Sequence, residues 1–437
     1  MHIAFVLPAY APFVGGAQTV CRALAQRLRM DGHRVIVLTS NAQQADDFWR
    51  PPPSIRADLP SREEQDGVQI IRLPLTYPWP APYRFGVLRR MTHLLARLPL
   101  PVAWLQPLLR HFTPSLPPLL ELQSVLLPLL ADADLLVVLD AGWDGLFVDA
   151  AQAALAQATP VIVMPLIHTG SPAIKARFCM AHQTAVYQQA GATVALSQSE
   201  KALLAEWGVA PSRLHCLSLG VDAVDLDEAR QDGEAIRQRY GLPRQFVLFL
   251  GAATYDKGAF TLAQAVADLI RQGEVVDIVC AGPQQHQLAV FLDIFPPRVG
   301  AILREHIHLL GVVDERTKQA LLAECALLAL PSRVDSFGIV LLEAWQHSKP
   351  VVAAAIGGPA ALVRHEETGL LVPFDASLAL AAAIQQILAK PELAERLGSA
   401  GHRTLTEHYT LDKCYDAFSQ IATRISSPTD GASNECL

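Results

Sequence analysis

The sequence predicts an α/β protein of two Rossmann-like, doubly wound domains. Its 437 residues suit about two domains. Short apolar runs alternate with helical stretches along most of the chain, the rhythm of parallel sheets covered by helices. The first apolar run passes through Gly15-Gly16 into a helix and then a second apolar run, a βαβ opening with glycines in its first turn.

Composition removes several function classes. Hydrophobic residues make up 51% and charged residues 18%, which fits large buried sheets and argues against disorder. A net charge of −7 gives no general case for a nucleic-acid partner. The seven cysteines are scattered and form no C-x-x-C pair, so neither a disulfide framework nor a zinc site is expected. A reducing, cytoplasmic setting follows. Ile3 to Leu7 has no cationic segment before it and stops at Pro8, so it reads as a first strand and not as a signal peptide. Proline, arginine or acidic residues interrupt every apolar stretch before it is long enough to span a bilayer.

After the first strand, Ala17 to Met30 reads as a helix with Leu24 and Leu28 on one face, stopped near Gly32. Val35 to Leu38 is the second strand. Gly15-Gly16 would let a backbone approach a diphosphate or sugar closely, although on its own the pair is equally a plain turn. Ala42 to Gly67 reads as a polar loop with Pro51-Pro52-Pro53.

From Gly67 to Leu120 there is no Asp or Glu. Arg72, Arg84, Arg89, Arg90, Arg97 and Arg110 occur there, interleaved with Tyr77, Trp79, Tyr83, Phe85 and Trp104. One reading is a peripheral membrane contact through residues 72–112, or a grip on an anionic lipid-linked acceptor, at the inner face of the membrane. The simpler reading, which we prefer from sequence, is helices packed on the core with arginines snorkelling outward.

The α/β rhythm then returns, with strands at Leu135–Leu139, Val161–Ile167, Thr193–Ser197 and Leu214–Leu217. Asp144 to Gln157 is a helix, Ser171-Pro172 opens another, and Ser199 caps a third that ends at Trp207-Gly208. His168 follows the end of a strand, where open α/β sheets place ligands. Val221 to Arg244 is charged, with a helical stretch near Glu234–Tyr240, and marks the boundary between domains 1–220 and 221–408. Asp132-x-Asp134 and Asp225-x-Asp227 are chance-level acidic pairs, and no metal site is read from them.

In the second half, Phe246 to Leu250 is a strand leading into Gly251-Ala252-Ala253-Thr254-Tyr255-Asp256-Lys257-Gly258 and a helix. A lysine at the mouth of such a turn can neutralise a diphosphate. Val275–Cys280 and Ile307–Leu310 are strands, the latter ending at Gly311-Val312-Val313, and Asp314 can cap the next helix. Leu327 to Leu330 is a buried strand stopped by Pro331. Arg333, Asp335, Ser336, Phe337 and Gly338 follow, and Ser336 can cap a helix through Ile339, Leu341, Leu342 and Trp345. A helix start favours negative charge, so this corner can hold a phosphate. Asp335 and Glu343 have seven residues between them and can accept hydrogen bonds from a sugar and from a ribose. Val351–Ala355, Gly357-Gly358 and Thr368 to Pro373 come next. Tyr409–Ile421, within a last helix of about 409–423, is the segment expected to cross back onto the first domain, and residues 426–437 read as a frayed tail.

The segment from Leu327 to Glu343, with Lys257-Gly258, Gly311-Val312-Val313 and the paired glycines around it, resembles the retaining glycosyltransferases of family 4, which have the GT-B fold. The resemblance implies two domains facing across a cleft and a nucleotide-sugar donor with no cofactor or metal. In it, Lys257 neutralises the diphosphate, Asp335 holds sugar hydroxyls, Glu343 holds the ribose, and His168 faces the transferred sugar. Gly15, Gly16 and Gly251 line the donor, and Gly311, Val312 and Val313 receive the base through backbone groups. Transfer proceeds with retention, from the front side, to an acceptor that the sequence does not identify.

Three positions depart from the family pattern. Ala252 stands where the family has an arginine, Asp335 where it has a glutamate, and Ala361 near where it often has another. Arg333 is the candidate to replace the missing arginine. These departures keep a second function open, a non-catalytic relative that binds a nucleotide or a partner protein. A nucleotide-sugar epimerase ranks lower, because its acid–base residues are not visible.

Overall fold

Two parallel sheets organise the chain in the computed structural model, which describes residues 1–13, 15–48, 59–76, 87, 91, 94, 119 and 121–427. The first unit comprises Met1–Ile167, Ala173–Leu217 and the C-terminal segment from Tyr415. The second comprises His168–Pro172 and Ser218–Cys414.

The first unit holds β1 (His2–Val6), β2 (Arg34–Ser40), β3 (Arg62–Gln65), β4 (Val68–Leu73), β5 (Leu135–Leu139), β6 (Val161–Met164), β7 (Ala192–Ala195) and β8 (Leu214–Cys216). They order as β3-β4-β2-β1-β5-β6-β7-β8. Every pairing is parallel except β3 with β4. Ile3 pairs with Val35 on one side and Leu135 on the other, so β1 lies where the winding reverses. The inner strands β5 and β6 are apolar throughout, and β1 is apolar after His2, because helices cover both faces. The helix Gly16–Met30 buries Val20, Cys21, Leu24, Ala25 and Leu28, one stripe at helical spacing.

The last helix, Leu411–Ser426, belongs to this unit from Tyr415 onward. Phe418 is fully buried and stacks on Phe5 of β1 with ring centroids 6.4 Å apart, and the Tyr415 hydroxyl donates to Asp31.

The second unit holds β9 (Val247–Leu250), β10 (Ile278–Ala281), β11 (Ile307–Gly311), β12 (Leu327–Leu330), β13 (Val351–Ala354) and β14 (Leu370–Val372). Their order is β11-β10-β9-β12-β13-β14, all parallel. The chain winds outward from β9 to β10 and β11, then returns to place β12 on the other side of β9. The carboxyl ends of β9 and β12 therefore flank the switch point, where a doubly wound sheet leaves a crevice.

Several expectations change. The polar loop over 42–67 contains a short turn, Ala45–Phe48, and the edge strand β3, and β4 continues directly from it. Arg72 is not part of a basic surface. It is buried in β4, ion-paired with Glu63 and donating to the Ala11 carbonyl at 2.8 Å. Ser199 does not cap its helix, because Ser197 accepts from the Glu200 amide at 3.1 Å. The linker helix is longer than read, Leu226–Tyr240, with Asp225 as its cap. The helix Leu122–Asp132 was not anticipated. The prolines at 51–53, the aromatics from Tyr77 to Trp104 and the arginines from Arg84 to Arg110 lie outside the described residues, as does the tail from 428. Six cysteines are described and all are free thiols. Among the described residues no helix is long and apolar enough to cross a membrane.

Candidate active site

The corner after β12 is built from backbone contacts too close for side chains. Leu327, Leu328 and Leu330 are buried, each contributing roughly 1.5–3 kcal/mol on leaving water, and they fix where the strand stops. A Cβ placed on Gly258 would lie 2.1 Å from the Pro331 carbonyl oxygen, so only glycine lets the Lys257 turn meet the β12 exit. There the Arg333 amide donates to the Asp256 carbonyl at 3.0 Å. On the opposite flank a Cβ on Gly358 would lie 2.4 Å from the Phe337 nitrogen, and the Gly358 amide donates to the Asp335 carbonyl at 3.0 Å. The segment His168–Pro172 closes a third side, with Gly170 against the Arg333 carbonyl.

These contacts bring Lys257 Nζ to 2.7 Å from Asp335 Oδ1, both side chains largely shielded from solvent. Burial pushes the Asp335 pKa up. The Lys257 ammonium, with smaller help from Ser332 and His168, outweighs it, and the carboxyl lies below the ordinary aspartate value. Asp335 Oδ2 is buried and has no geometric hydrogen-bond partner among the described residues.

Ser336 is not the helix cap. The helix is Ile339–Gln346, and its cap is Gly338, whose φ of 96° is open mainly to glycine. Ser336 instead lies on the turn that Gly358 packs against. Phe337 is buried and meets the Tyr409 ring edge-on at 5.9 Å. Leu341, Leu342 and Trp345 bury the inner helix face, and the indole N–H donates to the Thr368 carbonyl at 3.1 Å. The first turn, at Ile339 and Val340, carries the amide-rich positive end of the helix.

Arg333 is engaged. Its guanidinium donates to Asp256 Oδ1 at 2.8 Å from Nε and 2.6 Å from Nη2, and it lies over the rings of Tyr255 (5.2 Å) and Phe374 (4.8 Å). Tyr255 is held in turn by Asp375, which accepts its hydroxyl at 2.7 Å. The cation is thus fixed against Asp256, the residue before Lys257. Ala252 offers no charge of its own.

Glu343 is buried and receives Lys318 Nζ at 2.6 Å. Sequence reasoning missed Lys318, although Asp314 caps its helix and places it one turn inside. Burial alone would depress that ammonium, but Glu343 and Glu315 raise its pKa above the ordinary lysine value. At Gly311 the amide donates to Gln285 Oε1 at 2.8 Å and the carbonyl accepts from Gly282 at 2.7 Å, so both backbone groups are taken. Val312 is exposed and Val313 half-buried. Gly251, at φ 147°, has open space where a side chain would project.

The second unit therefore gathers Lys257, Arg333, Asp335, Ser336, Phe337, Gly338, Ile339 and His168 at the exits of β9, β12 and β13. Gly15 and Gly16 belong to the first unit, after β1, where Gly15 caps the helix Gly16–Met30. Among the described residues no group of three His, Cys, Asp or Glu side chains is arranged to hold a metal.

Residues 232–404 match the family model for glycosyl transferases group 1, and residues 15–220 match that of the glycosyl transferase 4-like domain. The alpha-D-kanosaminyltransferase of Streptomyces kanamyceticus is 30% identical over 194 residues, 44% of this chain and 48% of that protein. The chain spans about half the length of the curated relatives it matches. Among solved structures, sucrose-phosphate synthase from Thermosynechococcus elongatus superposes with a TM-score of 0.69 at 20% identity, covering 97% of this chain and 98% of that one. Anabaena HepE, solved in complex with UDP-glucose, gives a TM-score of 0.65 at 20% identity, covering 98% and 99%.

Proposed function

This chain belongs to the group 1 glycosyl transferases and has the GT-B fold, and on that premise we propose that it is a retaining, metal-independent hexosyltransferase acting from a nucleoside-diphosphate sugar. The observation that carries the reading is the Lys257–Asp335 pair at 2.7 Å beside a helix start that opens on Gly338. Breaking the bond between sugar and phosphate leaves growing charge on the diphosphate. Lys257 meets that charge, and the amides of the first turn after Gly338 share it, the electrostatic work a metal does in other transferases. Arg333, locked by Asp256 and two aromatic rings, adds a second fixed cation where Ala252 supplies none. Asp335 accepts sugar hydroxyls through its carboxylate. Glu343, oriented by Lys318, accepts the ribose hydroxyls. His168 lies against the sugar. Transfer is front-side, with no protein nucleophile. UDP-glucose bound to Anabaena HepE supports a donor of this class.

The acceptor is proposed to be lipid-linked or a polysaccharide intermediate. Val87, Met91 and Leu94 are each helical and exposed. Arginines at 84, 89, 90 and 97 flank them in sequence without any acid. That combination suits a peripheral contact with an anionic surface.

A panel of UDP- and GDP-sugars, assayed for free nucleoside diphosphate, tests the proposal. The wild type should release one diphosphate, and Lys257→Ala and Glu343→Ala should each slow release at least about tenfold, one lost charge-assisted contact. No release from any donor would favour a non-catalytic binding protein.

A further inference from the structure

We propose that Glu200 is a positioning residue that aims His168, by clamping the backbone where β6 ends; this rests on the reading of His168 as a sugar contact. Ser197-x-x-Glu200 is a capping-box sequence, in which the glutamate ordinarily turns back to the cap's own amide. Here the Ser197 half is present, but the carboxylate goes elsewhere. Glu200 Oε1 accepts from the Ile167 amide at 2.9 Å, and Oε2 accepts from the Leu196 amide at 2.7 Å. One carboxylate thus ties the exits of β6 and β7, and Glu200 is only 1% exposed.

The tied backbone is strained. Leu166 has φ 56°, a left-handed conformation that a branched side chain rarely takes and that persists only where neighbours enforce it. The enforcing bonds flank it. The Ala141 amide donates to the Pro165 carbonyl at 3.1 Å on one side, and Ile167 donates to Glu200 on the other. The next residue is His168. Its charge is felt by Asp335, and Gly170 packs on the Arg333 carbonyl. The turn therefore decides where the imidazole leaves the sheet.

Among the described residues the carboxylate receives two amides, and no cation bonds to it. The titratable groups that feel its charge are the Tyr187 phenol, on the helix Ala181–Gln189, and the Cys216 thiol of β8; both have raised pKa values and are neutral at pH 7. A buried carboxyl without a cation is costly for stability once it ionises. Two amide donors at fixed angles explain it, because glutamine would offer one of them a second donor.

The test is Glu200→Gln in wild-type and His168→Ala backgrounds, read by steady-state kinetics and by amide hydrogen exchange on the full chain. In the wild-type background kcat should fall at least about tenfold with donor KM within about threefold. In the His168→Ala background the same change should add less than about twofold. Exchange should quicken at residues 164–170 and stay as in wild type at β12. Equal kcat losses in both backgrounds, full kcat in His168→Ala, or unaltered exchange at 164–170 each overturn the proposal. Uniformly faster exchange throughout the chain also overturns it, in favour of a purely structural role. Exchange needs no turnover, so it judges the clamp even if no donor is ever transferred.

Discussion

Lys257 and Asp335 hold each other at 2.7 Å, and that contact gives two opposing expectations for one substitution. Asp335 competes with a diphosphate for the ammonium, yet it also accepts the sugar's hydroxyls. Asp335→Asn should therefore bind free nucleoside diphosphate several-fold more tightly and transfer sugar at least about tenfold more slowly, since the lost partner is a charged hydrogen bond of ~1.5–3 kcal/mol. Titration calorimetry and product release, run on the same preparation, check this. Affinity and turnover falling together would mean that the aspartate only props the lysine. At this scale a lysine before a glycine and two acids with seven residues between them are local patterns, so the sequence displays them. Lys318 was not, since its partner Glu343 lies on another helix and only folding brings them to 2.6 Å. Nor was the sandwich on Arg333, which needs Phe374 from the loop after β14.

At the scale of elements, the buried strands read well because uninterrupted apolar runs such as Leu327–Leu330 have few other fates. Caps read less well. Ser336 and Ser199 have the right chemistry, but Gly338 and Ser197 have the right backbone, and the sequence does not show φ. β3 is Arg62-Glu63-Glu64-Gln65, a polar edge strand that pairs with β4, so no apolar signal announces it.

Glu200 gives the pH expectation at this scale. Burial raises its pKa to about 7 from 4.5, against the pull of the two amides. Between those values the native state holds a proton that the unfolded chain releases. Raising pH through this window therefore costs the first unit stability, by roughly 3 kcal/mol at most. Urea midpoints of the wild type should fall from pH 5 to pH 8, and Glu200→Gln should flatten that trend. A midpoint that rises equally in both proteins would contradict it.

For the whole molecule, the family was legible because order and spacing agree over nearly the full length, although each motif is weak alone. The return of the last helix is a long-range fact, carried by Phe418 on Phe5. The proposed membrane contact belongs here too, because it joins the exposed side chains of Val87, Met91 and Leu94 to a stretch without acids. Each arginine near an anionic surface adds about 1 kcal/mol. Sedimentation should recover more protein with anionic than with neutral vesicles, and Val87→Asp with Leu94→Asp should abolish the difference. Recovery indifferent to lipid charge would remove the electrostatic contact.

The account turns on Lys257 and the Gly338 helix start taking up a diphosphate. Calorimetric titration of UDP and of GDP into the wild type and into Lys257→Ala measures that directly. We expect one nucleotide to bind the wild type, with affinity in the variant weaker by about ten- to a hundredfold. Equal affinity in the two proteins, or no binding of either nucleotide to the wild type, would contradict it.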